Sequence, residues 1–74
     1  MEGGRMICPR CEQDEIVEAR IKANGRMIYI CPECDATWFS FDEVNSRNFI
    51  DYGTYMKSIG LSQLWDELEV IKQV

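Results

Sequence analysis

The chain contains no histidine. That absence removes the usual general base at neutral pH and the commonest nitrogen ligand for metals, so Ser-His or Cys-His catalysis and mixed Cys/His metal sites are excluded. Basic residues are scarce too: eight Lys and Arg stand against thirteen Asp and Glu, a formal net charge of −5. Non-specific nucleic-acid binding draws on phosphate neutralisation and starts at a disadvantage on such a chain. No stretch approaches the ~20 apolar residues of a membrane span. No apolar signal segment precedes the first cysteine in Met1-Glu2-Gly3-Gly4-Arg5, which leads to the expectation of a soluble, cytoplasmic protein. At 74 residues the chain is one domain, near the size at which an apolar core alone contributes little net stability.

What is present is four cysteines, in two identical Cys-Pro-x-Cys clips: Cys8-Pro9-Arg10-Cys11 and Cys31-Pro32-Glu33-Cys34, with nineteen residues between them. Two thiolates of one tight turn can reach the same cation at roughly 2.3 Å each, and two such turns complete the tetrahedron that zinc prefers in closed structural sites. The proline of each clip pre-sets φ near −65°. Cys8, Cys11, Cys31 and Cys34 are therefore the expected ligands and Zn²⁺ the expected cofactor. Two disulfides, a thioredoxin-like redox pair and a rubredoxin-like iron site compete with this assignment. The first lacks an oxidising context, and the second lacks the alternating strand-helix pattern. Iron uses similar spacing, and zinc is the commoner occupant. Four thiolates would close the metal shell, which predicts a protein that is not an enzyme.

Between the clips, Val17-Glu18-Ala19-Arg20-Ile21-Lys22-Ala23 alternates apolar and charged residues, the period-2 signature of a half-buried strand. Asn24-Gly25 predicts a two-residue type I′ turn, and Arg26-Met27-Ile28-Tyr29-Ile30 the return strand. That closure pairs Ile21 with Ile28 and Ala19 with Ile30 on a core face. It sets Arg20 beside Tyr29 and Lys22 beside Met27 on the other, a small basic and aromatic patch. Arg20, Lys22, Arg26 and Tyr29 are the candidate nucleic-acid contacts, with cations for the backbone and a ring for stacking.

The order of the two clips, the hairpin between them, and then three residues, Trp38 and the acidic step Asp42-Glu43-Val44 resembles the short bacterial zinc-ribbon family named after the ribbon of transcription factor IIB. The resemblance spans roughly residues 6–44. It implies a zinc ribbon with the four cysteines as ligands, Trp38 packed beside the second clip, and a helix opening at Asp42. In that family the residue after each clip is typically glycine, whereas here Glu12 and Asp35 occupy those places. Asp tolerates the left-handed backbone better than Glu, which predicts a first knuckle of different local shape.

The expected fold class is small α+β: a ribbon of antiparallel hairpins over residues 1–41, followed by two or three short helices over residues 42–74, packed on the ribbon as one compact domain. The first helix is expected from Ser40 or Asp42 towards Tyr52, with Gly53 as its end. Residues Thr54 to Gly60 are ambiguous, with Gly60 reading as a stop. The last helix would be capped by Ser62, with Leu64, Trp65, Leu68 and Ile71 on one apolar stripe. That stripe would cover the hairpin's core face together with Trp38, or else leave Tyr55, Met56, Leu61, Leu64 and Trp65 open as a docking patch or homodimer seam.

Four thiolates on one Zn²⁺ carry about −2, so the metallated chain would carry roughly −7. An acidic small protein suits a basic protein surface. The expected function is a non-catalytic, zinc-binding protein-interaction module, in one concrete form an inhibitor or immunity-type partner of a basic protein, with Trp65, Asp66, Glu67 and Glu69 making the contact. The alternative is a nucleic-acid-binding or transcription-associated ribbon using the hairpin face.

Overall fold

The computed structural model describes residues 6–45 and 47–73; the opening segment Met1 to Arg5 lies outside them. Its centre is the hairpin of β1 (Val17–Ile21) and β2 (Met27–Ile30). Strand β3 (Ala36–Trp38) extends β2, β4 (Ile50–Asp51) extends β3, and β5 (Leu68–Gln73) pairs with the free edge of β1. The result is a five-stranded antiparallel sheet in the order β4-β3-β2-β1-β5. Among the described residues one α-helix, the seven-residue α1 (Tyr52–Ser58), packs on it.

This overturns the expectation of a ribbon followed by two or three helices. Among the described residues of the span 40–49, the chain makes only a 3-10 turn, Phe41–Glu43, capped by the Ser40 hydroxyl. It then bends because Asn45 Oδ1 accepts from the backbone N–H groups of Arg47 and Asn48, at 2.7 and 2.8 Å. Such local side-chain bonds compete directly with helix hydrogen bonds. Gly53 does not end a helix. It sits in the first turn of α1, whose N-cap is Asp51, with Oδ2 accepting from the Thr54 N–H at 3.0 Å. Gly60 is the stop: its φ is +79°, and Gly60 and Leu61 donate back to Lys57 and Met56 in the paired pattern that closes helix C-termini.

The apolar run at Leu64, Trp65, Leu68 and Ile71 is not a helix stripe either. A 3-10 turn, Trp65–Glu67, leads into β5. Only Leu68 of that strand is buried; Ile71 and Leu64 are 47% and 62% exposed. Sheet formation wins because the outer edge of β1 would otherwise present unpaired N–H and C=O groups. The cross-strand partners are also complementary: Ile21 faces Leu68, Arg20 ion-pairs with Glu69, and Lys72 lies 3.9 Å from Glu18.

The hairpin register differs from the expected one by two residues. Ala19 pairs with Ile28 and Val17 with Ile30, leaving residues 22–25 as a four-residue loop. A type I′ turn needs positive φ at both Asn24 and Gly25, and only Gly25 has it, at +74°. The loop is closed instead by Gly25 N–H donating to Ile21 C=O at 2.7 Å and by Asn24 Oδ1 accepting from Arg26 N–H at 2.9 Å. A shift of two preserves the faces, so Val17, Ala19, Ile21, Ile28 and Ile30 are all buried as one core with Tyr52, Met56 and Leu68. Tyr55, Leu61 and Trp65 pack against it half-buried. Trp38 does not join them. Opposite Tyr29 in the register, it points to the other side of the sheet and anchors a second cluster with Cys8, Ile16, Cys31 and Ala36.

Candidate metal centre

Each clip is folded by its own short backbone bonds. In the first, Glu12 N–H donates to Cys8 C=O at 2.9 Å and Cys8 N–H to Asp14 C=O at 2.8 Å, while Ile7 bridges Glu15. In the second, Asp35 N–H donates to Cys31 C=O at 2.9 Å and Cys31 N–H to Ala36 C=O at 3.0 Å. The residue closing each turn is left-handed, with φ of 57° at Glu12 and 62° at Asp35. The two knuckles therefore share this conformation, and the expectation of a differently shaped first knuckle is corrected there. The turn hydrogen bond imposes the left-handed residue, and Glu12 bears a strain of order 1–2 kcal/mol that glycine would not.

These turns aim all four sulfurs at one point. The Sγ atoms of Cys8, Cys11, Cys31 and Cys34 lie within 4.8 Å of one another. The cross-knuckle distances are 3.7 Å for Cys8 to Cys34 and 3.6 Å for Cys11 to Cys31. A tetrahedron with metal–sulfur bonds of ~2.3 Å has edges of ~3.8 Å, so the cluster fits one tetrahedral metal ion. A disulfide needs ~2.05 Å, and all four cysteines are free. An all-sulfur tetrahedron suits zinc or iron.

The protonation balance within the cluster is uneven. Burial pushes the Cys31 and Cys34 thiols well up and up respectively, whereas a backbone N–H from Gln13 lowers Cys11. Metal uptake at Cys31 and Cys34 must therefore displace protons. Cys8 and Cys31 are fully buried, while Cys11 and Cys34 are half-buried, so the cluster opens on one side.

Outside the cluster, the structure does not bring the four hairpin residues together as a free cationic patch. Arg20 is ion-paired with Glu69. The hydroxyl of Tyr29 donates to Glu18 at 3.2 Å, and its ring meets Phe41 edge-on, the centroids 5.9 Å apart. Arg26 lies 4.4 Å over the ring of Phe39, and Lys22 sits in the exposed loop. Of the expected acidic contacts, Glu69 is engaged by Arg20 and Trp65 packs on the core. Asp66 is exposed, and Glu67 is half-buried with its carbonyl accepting from Lys22 N–H at 2.9 Å.

Two residues tie the centre to the fold in ways the sequence did not reveal. Arg10 spans from the first knuckle to the second, and Asp35 receives α1 and the Trp65 turn. The signal for Asp35 was its occupation of a glycine position; Arg10 offered only its place inside a clip. Comparison of the chain with known protein families, curated proteins and solved structures finds no match. Among the described residues, no helix is long and apolar enough to cross a membrane.

Proposed function

We propose that this chain is a non-catalytic, zinc-binding interaction module whose partner is a protein with a basic surface. The convergence of four cysteine sulfurs within 4.8 Å carries the metal part of this reading. Zinc is the expected ion because a closed all-thiolate shell without histidine is its common structural site, and the zinc-ribbon resemblance points the same way. When bound, zinc supplies a crosslink between the knuckles. Cys8, Cys11, Cys31 and Cys34 would fill its four positions, which supports a structural rather than a hydrolytic role.

A protein partner is favoured over nucleic acid because two of the hairpin's three cations are already engaged. Arg20 is neutralised by Glu69 and Arg26 rests on Phe39, while the chain as a whole carries −5. Complementary potential would draw a basic protein to this surface and raise its on-rate. Asp66 is exposed on a turn that the Trp65–Asp35 bond holds beside the second knuckle. An inhibitor that covers the basic groove of a nuclease or toxin is one concrete form of such a module.

The test is a pull-down from host lysate with zinc-loaded protein as bait, run with and without nuclease and with the double charge reversal Asp66→Lys, Glu67→Lys. The expected result is a discrete basic protein that survives nuclease and is lost from the reversed variant and at high salt. Retention abolished by nuclease would instead make this a nucleic-acid-binding protein.

A further inference from the structure

We infer that Arg10 is a cationic clasp on the metal centre, locking the two knuckles together and balancing the charge of the loaded site. The inference rests on the zinc reading above. Arg10 is the only basic residue in the segments around the clips, residues 6–16 and 29–37, which otherwise hold Glu12, Asp14, Glu15, Glu33 and Asp35. Four thiolates on a divalent ion leave about −2, so these carboxylates add to an unfavourable local field that a guanidinium partly offsets.

Its contacts are specific. Nη1 donates to the carbonyl of Cys34 at 3.2 Å, a residue 24 positions away and the last ligand of the second knuckle. The guanidinium carbon also lies 4.4 Å from the centroid of Phe49, which packs against the cluster formed by Cys8, Cys31 and Trp38. One side chain thus joins the first knuckle, the second knuckle and the segment leading into β4. A planar fork can donate to a carbonyl and lie over a ring at once, which an ammonium on a flexible stem does less well. The Arg10 bond resists separation of the knuckles and so slows metal release that proceeds by parting them. Groups that hydrogen-bond a ligating side chain typically alter metal affinity 10–100-fold; Arg10 acts one step further out, through the backbone carbonyl of Cys34.

The test measures metal release. Zinc-loaded wild type, Arg10→Gln, Arg10→Lys and Phe49→Leu are mixed with excess chromogenic chelator, after elemental analysis of the wild type and an amide spectrum of each loaded variant. Release is expected roughly tenfold faster for Arg10→Gln, with Arg10→Lys between it and wild type because the charge is kept and the fork is lost. Phe49→Leu is expected to speed release while leaving both clips unaltered in sequence, so the clasp stays testable even if Arg10→Gln misfolds. Variants that release zinc at the wild-type rate would overturn the clasp alone. A wild type that binds no metal would overturn the zinc reading and the clasp with it.

Discussion

The indole N–H of Trp65 donates to the side chain of Asp35 at 3.4 Å, joining the turn before β5 to the residue that closes the second knuckle. Asp35 is held on every side: its N–H closes the turn on Cys31, its carbonyl accepts from Tyr52 N–H at 3.0 Å and from the Thr37 hydroxyl at 3.2 Å, and its carboxylate takes the indole. The left-handed strain at this position is offset by these bonds. Glu12, its counterpart in the first knuckle, is exposed and has no side-chain hydrogen bond among the described residues.

The two positions should therefore respond oppositely to glycine. Glu12→Gly is expected to stabilise the metallated protein by about 1 kcal/mol, because left-handed strain is relieved at no cost in contacts. Asp35→Gly gains the same relief but frees Trp65, and is expected to be neutral or destabilising. Denaturant midpoints of the two variants measure the difference, and equal shifts would refute the distinct role assigned to the Asp35 carboxylate.

Metal removal should act first on the Trp38 side of the sheet. Trp38 is 1% exposed, clusters with Cys8 and Cys31, and donates from its indole to Asn45 C=O at 3.1 Å. Structural zinc contributes on the order of 10–16 kcal/mol of apparent binding energy, comparable with or above the usual net stability of about 5–15 kcal/mol. Chelation or Cys31→Ser is expected to red-shift Trp38 emission, read in a Trp65→Phe background. Unchanged emission after complete metal removal would show that the second cluster stands without the ion.

Tyr52 predicts an alkaline limb in the stability profile. Burial, then the nearby charges of Glu67 and Asp35, raise its phenol above the ordinary value of 10.0 in the folded chain. Folding therefore favours the neutral form. Its contribution is complete below pH of about 10, the unfolded value, and is lost as pH rises through the folded value. Tyr52→Phe should flatten that limb in denaturation curves taken above pH of about 10. At neutral pH the same variant should cost roughly 1 kcal/mol, because the hydroxyl's 2.8 Å bond to Leu64 C=O is gone.

Leu68 is the one buried anchor of β5. Leu68→Ala is expected to cost about 2–4 kcal/mol and to remove hydrogen-exchange protection from β5 more than from β2. The Arg20–Glu69 ion pair is half-exposed on both sides and cannot replace that anchor. If β5 keeps its protection in the variant, the strand is held by its backbone ladder alone.

The sequence by itself determined the grouping of the four cysteines, the inward face of the central hairpin and the glycine stop at Gly60. All three are local: a Cys-x-x-Cys turn converges its sulfurs, a two-residue period sorts side chains to faces, and glycine admits positive φ. Only the tertiary structure decided the hairpin register, since a slip of two residues leaves the alternation intact and the loop's own hydrogen bonds choose between them. It also decided the fate of residues 61–73, where apolar spacing compatible with a helix lost to the unpaired edge of β1 and to cross-strand partners some fifty positions away, Arg20 with Glu69 among them. Trp38 turned away from the main core for the same reason: its side of the sheet follows from its partner Tyr29. No local pattern contains a pairing partner, which is why strands at a sheet's edges were the part of this chain that its sequence left open.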